Sequence, residues 1–142
     1  LKERCNIIIV RGNHDNYLKA ILAKYDIKLH EKILIDDYLF LHGHKEYEGN
    51  EKIIIGHEHP SVKIRESSGG LINYPSFLIG KDIVVLPSPS IYSSGSDILA
   101  GDILSPILKN RLKGDEDIYG IDNKFGIIYF GKYNYLKSRI FL

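Results

Sequence analysis

One cysteine, Cys5, stands in a chain of 142 residues. That excludes an internal disulfide and a thiolate cluster for zinc, and the position of Cys5 in an apolar stretch predicts core packing. Charge of one sign is also missing. With 19 basic against 18 acidic side chains the formal net charge is +1, so no global basic field argues for nucleic acid, although a locally basic surface stays open. No apolar run approaches the roughly 20 residues of a membrane span. No secretory signal opens the chain and no Asn-x-Ser/Thr acceptor occurs, which makes a soluble cytoplasmic protein the expectation. Methionine is absent and the chain opens on Leu1 close to its first apolar run, so we expect the later part of a longer protein. Internal repeats and low-complexity segments are absent as well.

What is present suffices for one domain, residues 1–142, because 44% of the residues are hydrophobic. Three apolar runs end alike. Residues 6–10 lead into Arg11-Gly12-Asn13-His14-Asp15, residues 38–41 into His42-Gly43-His44, and residues 53–55 into Gly56-His57-Glu58-His59-Pro60. β-Branched residues followed by glycine read as a buried strand closing in a tight turn. A spacing of two puts His57 and His59 on one side of a continuing strand, or fans them about one centre where a loop begins. Such a pair alone reads equally as a solvated loop or as metal ligands. Five of the six histidines fall in these three places, and open parallel sheets bind ligands beyond the carboxyl ends of their strands. His30 lies in a strand without a motif and reads as structural.

The remaining pattern predicts a strand over 5–10 and a helix over 17–24. Asn16 is placed to cap that helix, and Leu18, Ile21, Leu22 and Tyr25 form one apolar face. Strands are expected over 27–35 and 38–41, joined by the turn residues Asp36 and Asp37. Residues 45–52 read as a surface connection. Further strands over 62–65, 74–79 and 83–86 follow, with turns at 67–70 and at Gly80-Lys81-Asp82. Residues 87–96 form a loop, either a plain connector or a functional element beside the site. A helix is expected over 106–112 because Pro106 fits a first turn. Strands over 125–130 and 133–142 close the chain. The ten tyrosines read as half-buried sheet residues rather than a base-stacking platform.

The motifs Gly12-Asn13-His14-Asp15, His42-Gly43-His44 and Gly56-His57-Glu58-His59 resemble, in order and separation, the later motifs of the calcineurin-like metallophosphoesterases. GHEHP followed by LIGKDIVVLPSPSIYSSGSD and LSPIL is similar to the archaeal ICC-like phosphoesterases, a branch related to repair exonucleases. The resemblance covers nearly the whole chain, more loosely after Leu108. It implies an α/β fold, part of a four-layer αββα sandwich. It also implies two divalent metal ions, with Mn or Fe favoured and Zn or Ni possible. Carried over by residue, Asn13, His42 and His57 would bind one metal and His59 the other. His14 would stabilise the transition state and protonate the leaving oxygen, with Asp15 orienting its ring. His44 would support the site or ligate directly, and Glu58 would point away.

The family's DxH and GDxxD motifs, which supply two aspartates and a histidine, do not precede Asn13. The chain is therefore expected to be the carboxyl-terminal portion of an enzyme, incomplete at its amino-terminal end, or to be completed by a partner. The expected function is phosphoester hydrolysis by two-metal activation of water, on a phosphodiester or nucleic-acid phosphate. The contrasting expectation is a non-catalytic binding or scaffold module that keeps the fold.

Overall fold

Short runs of Ile, Val, Leu and Tyr, each bounded by Gly, Asp or Pro, divide the chain into many brief strands. The computed structural model describes residues 5–65, 69–90 and 92–140, and of Ile140 the backbone alone. Its elements are β1 (Ile9–Val10), α1 (Leu18–Ala23), β2 (Leu29–His30), β3 (Lys32–Ile35), β4 (Tyr38–Leu41), β5 (Lys52–Ile55) and β6 (Pro60–Arg65). They continue with β7 (Leu71–Ile79), β8 (Ile83–Val85), β9 (Ser96–Asp97), α2 (Pro106–Arg111), β10 (Asp117–Asp122), β11 (Gly126–Lys132) and α3 (Tyr133–Ile140). The mixed sheet runs β11-β10-β7-β8-β5-β4-β3, with β6 branching from β7 and β9 pairing with β6. Within it β4, β5 and β8 are parallel. A separate parallel pair joins β1 to β2. The architecture is α/β, as expected.

Alternation along the central strands sorts their side chains onto two faces. Leu39, Ile53, Ile55, Leu78, Ile83, Val85 and Ile118 point to one face and pack with Ile98, Leu99, Ile107, Leu108 and Tyr133 as the core. The other face carries Phe40, Ile54, Val84 and Phe77 half-buried and leaves Tyr129 54% exposed. Strand β7 serves two layers. Its first half pairs with β6 through Pro75 and its second half pairs with β10 from Ser76 onward. Proline, which has no amide to donate, stands at the change of partner.

One buried anion ties the two layers to α2. Glu58 is 0% exposed. Its carboxylate accepts the Leu104 amide at 2.9 Å, the Ser105 amide at 2.7 Å and the Ser96 hydroxyl. Ser105 in turn caps α2 by accepting the Leu108 amide, and its hydroxyl donates to the Gly43 carbonyl at 2.7 Å.

Several expectations need correction. The strand expected over 5–10 is ordered as β only at Ile9–Val10, and Cys5 is exposed rather than in the core. Of the predicted apolar face of α1 only Leu22 is buried, and Tyr17 rather than Asn16 occupies the N-cap, without a side-chain bond. The expected strand over 27–35 breaks at Glu31 into β2 and β3. β10 escaped prediction because Asp117, Gly120 and Asp122 interrupt its apolar pattern. Residues 133–140 form a helix, not a strand, because Tyr133 and Leu136 recur at helical spacing and pack on the core, with the Tyr133 hydroxyl bonding the Ile98 carbonyl at 3.1 Å. Only Tyr38, Tyr74, Tyr119 and Tyr129 of the ten tyrosines lie in strands. The turn expected at 67–70 lies partly outside the described residues, as does residue 91 of the loop.

Removing the Glu58 carboxylate leaves the buried Ser105 amide and the part-buried Leu104 amide without an acceptor, while the Ser96 hydroxyl keeps the Glu58 carbonyl at 2.9 Å. Glu58→Ala is therefore expected to cost about 3 kcal/mol or more, while Glu58→Gln, which keeps one acceptor oxygen, costs about 1 kcal/mol. Urea midpoints measure both. Equal, near-zero losses would remove Glu58 from its structural role.

Candidate functional site

The parallel strands β4 and β5 end side by side, and the chain turns there at His42 and at Gly56. Gly43 has φ +101°, and a Cβ on it would meet the Ile55 Cβ at 2.9 Å. Glycine thus lets the 42–44 turn cross the end of β5. The His42 carbonyl then accepts the Gly56 amide at 3.1 Å and the His57 amide at 2.8 Å. These two bonds fix the backbones of the two histidines, and their rings meet. His42 Nε2 lies 3.1 Å from His57 Nδ1.

Asn13 arrives from the turn after β1, with its Oδ1 2.9 Å from His42 Nε2. Gly12 permits this approach, since a Cβ there would lie 3.3 Å from His42 Cε1. The Asp15 carboxylate closes the same turn by accepting the Gly12 amide at 2.7 Å. His14 Nε2 rests 3.2 Å from Asn13 Nδ2, at the outer edge of the group. Asp15 therefore touches the turn backbone, whereas His14 touches Asn13. The His44 ring packs 5.2 Å from that of His42 and 6.0 Å from that of His57, centre to centre.

His59 stands apart. It adopts φ 48°, and its carbonyl accepts the Ser96 amide at 3.0 Å. Its ring influences His42 and His57 only through charge. The end of the 87–96 loop thus rests on His59. Gly95 is packed so closely that a Cβ would collide with the His59 carbonyl. Glu58, between the two histidines, points into the protein. No period in the sequence marks it for burial, because a tight turn has interrupted strand alternation there.

Burial lowers the His42 pKa from its usual 6.5 to about 4, reinforced by the neighbouring His57 and His44 and opposed by Asp15. His57 is lowered first by burial and then by His44, and His44 is lowered first by desolvation and then by Lys45. His42 is therefore neutral at pH 7. Among the described residues no three His, Cys, Asp or Glu side chains form a metal-binding set. The donors that do converge are one amide oxygen and two imidazole nitrogens. Donors at 90° to one another around an octahedral cation, with bonds of about 2.1 Å, stand about 3.0 Å apart. The observed separations of 2.9 and 3.1 Å fit that geometry. Three neutral donors suit one divalent cation, and without a carboxylate they do not neutralise two.

Neither a family profile nor a curated protein matches the chain. Its fold matches that of a crystallised nuclease. The nuclease MPE of Pseudomonas putida aligns at a TM-score of 0.59 with 24% identity, over 84% of this chain and 52% of that one. The chain spans about half the length of that structure, and the likeness establishes the shared α/β fold. Among the described residues no helix is long and apolar enough to cross a membrane.

A His whose folded pKa lies below its unfolded value contributes stability above the unfolded pKa and loses it as pH falls through the folded one. For His42 that window runs from 6.5 down to about 4. In an NMR titration the His42 ring resonances are expected to hold their neutral positions from about pH 7.5 to about pH 5.5. A midpoint near the usual value would contradict the buried, crowded ring.

Proposed function

We propose that this chain forms part of a metal-dependent phosphoesterase acting on phosphodiesters, with nucleic-acid phosphates as the favoured class. The convergence of Asn13 Oδ1, His42 Nε2 and His57 Nδ1 at the ends of parallel strands carries this reading. The shared fold with a nuclease supports it. Asn13, His42 and His57 would hold one cation, with Mn or Fe favoured and Zn or Ni compatible with the donors. His59, on the adjacent turn, would serve a second. A bound divalent cation would neutralise the phosphoryl oxygens and lower the pKa of a water ligand.

The protein's own residues divide the remaining work. His14, beside Asn13 and outside the imidazole pair, would donate a proton to the departing oxygen. Asp15 acts through the turn. By holding the Gly12 amide it sets the directions of both Asn13 and His14. His44 packs behind the imidazole pair and keeps water from its flank.

Two dications among neutral ligands would repel strongly. Unit charges 4 Å apart interact by about 4 kcal/mol at an effective dielectric of ~20, and two dications by about 16 kcal/mol. The 142-residue chain is therefore expected to bind no more than one Mn(II) in a calorimetric titration, with no turnover on a bis-aryl phosphate. Two tight sites with turnover would contradict this argument. In a longer protein carrying the two aspartate motifs upstream, His57→Ala should lose metal and activity together. His14→Ala should keep its metal while turnover falls roughly 10²- to 10⁴-fold. Metal content measured beside rate separates the two roles. Metal binding without turnover in that longer protein would favour the scaffold alternative.

A further inference from the structure

Away from the histidines, β6 leaves one edge open. Its other edge is paired with β7 along its length, but on the open side β9 pairs only with Pro60 and Ser61. The Ser61 carbonyl accepts the Ile98 amide at 3.2 Å, after which the chain turns away. Strand alternation directs the amides and carbonyls of Lys63 and Arg65 to the same side as that carbonyl. Among the described residues no strand meets them there. A cleft of about 250 Å³ lies beside β6, lined also by Leu99, Phe130 and Leu136. Four consecutive residues of β6, from Val62 to Arg65, line it.

The rim is basic. Lys63, Arg65 and Arg139 stand around the cleft. Lys63 pairs with Asp97 at 3.7 Å, Arg65 donates to the Gly69 carbonyl at 3.1 Å, and Arg139 lies 4.5 Å over the Tyr135 ring. Asp97 thus offsets one of three cations. Unpaired backbone and an apolar pocket are what recognition by strand addition uses, in which main-chain bonds bind and alternate side chains select, and the two remaining cations add selection by charge.

We propose that β6 receives an extended segment of a partner protein, with one bulky apolar side chain seated against Leu99, Phe130 and Leu136 and acidic residues flanking it. The segment continues the line of β9 and bonds to the backbone of Lys63 and Arg65. Lysine and arginine on the rim select acidic flanks over basic ones.

The test is fluorescence anisotropy with the full chain and a labelled peptide that has a central phenylalanine between valines and Asp/Glu flanks. The expected result is saturable binding, loss of binding when alternate peptide amides are N-methylated, and none with Lys flanks. Arg65→Glu combined with Arg139→Glu should weaken binding at least about tenfold, as expected for two lost charge contacts, with an unchanged melting curve as the folding control. Equal binding of the N-methylated or Lys-flanked peptide would overturn the proposal. So would displacement of the peptide by a single-stranded oligonucleotide or by anionic vesicles, or no binding at all. Should the double variant unfold, the N-methylated peptide still decides the outcome on the unaltered chain.

Discussion

A carboxylate with no access to water holds this structure's working end together. Burying the Glu58 charge is costly unless donors surround it, and two amides and a hydroxyl do so. Ser105 extends the arrangement. Its amide binds Glu58 from the 56–59 turn and its hydroxyl binds Gly43 from the 42–44 turn, while it also starts α2. Both histidine turns are therefore anchored to a single residue of the core. The position of His57 against His42 follows from that anchoring more than from any contact between the rings.

Parallel pairing supplies the rest. Because β4 and β5 run in the same direction, their turns open on the same side, and the His42 carbonyl bridges them through two amides. Desolvation then keeps the His42 ring neutral. Neutral rings tolerate close approach, whereas two imidazolium ions at this separation would repel one another. The same crowding that depresses the pKa holds Asn13 Oδ1, His42 Nε2 and His57 Nδ1 at successive separations of 2.9 and 3.1 Å.

Much of this was legible in the sequence because it rests on local rules. Glycine followed by histidine at the end of an apolar run marked the turns at Gly43 and Gly56, Pro106 marked the start of α2, and Gly80-Lys81-Asp82 marked the β7–β8 hairpin. What escaped depends on distant partners. Glu58 is defined by donors at positions 96, 104 and 105, and no spacing near it announces them. β10 is held by pairing on both sides, which offsets the weak strand tendency of Asp117 and Gly120. α3 depends on Tyr133 reaching the Ile98 carbonyl, and a sequence ending in Tyr, Phe and Leu reads as strand until that contact is known. Asp15 was expected to orient the His14 ring, and the bond its carboxylate makes is to the Gly12 amide three residues upstream, a backbone contact that residue type alone does not announce.

The central claim is that Asn13, His42 and His57 form one cation site at the ends of β4 and β5. X-ray absorption on the chain loaded with a single equivalent of Mn(II) tests it most directly. The account predicts multiple-scattering features from two imidazoles, with nitrogen and oxygen donors at about 2.1 Å, and the loss of one imidazole in His42→Ala. A spectrum with oxygen donors alone, unchanged by that substitution, would contradict it.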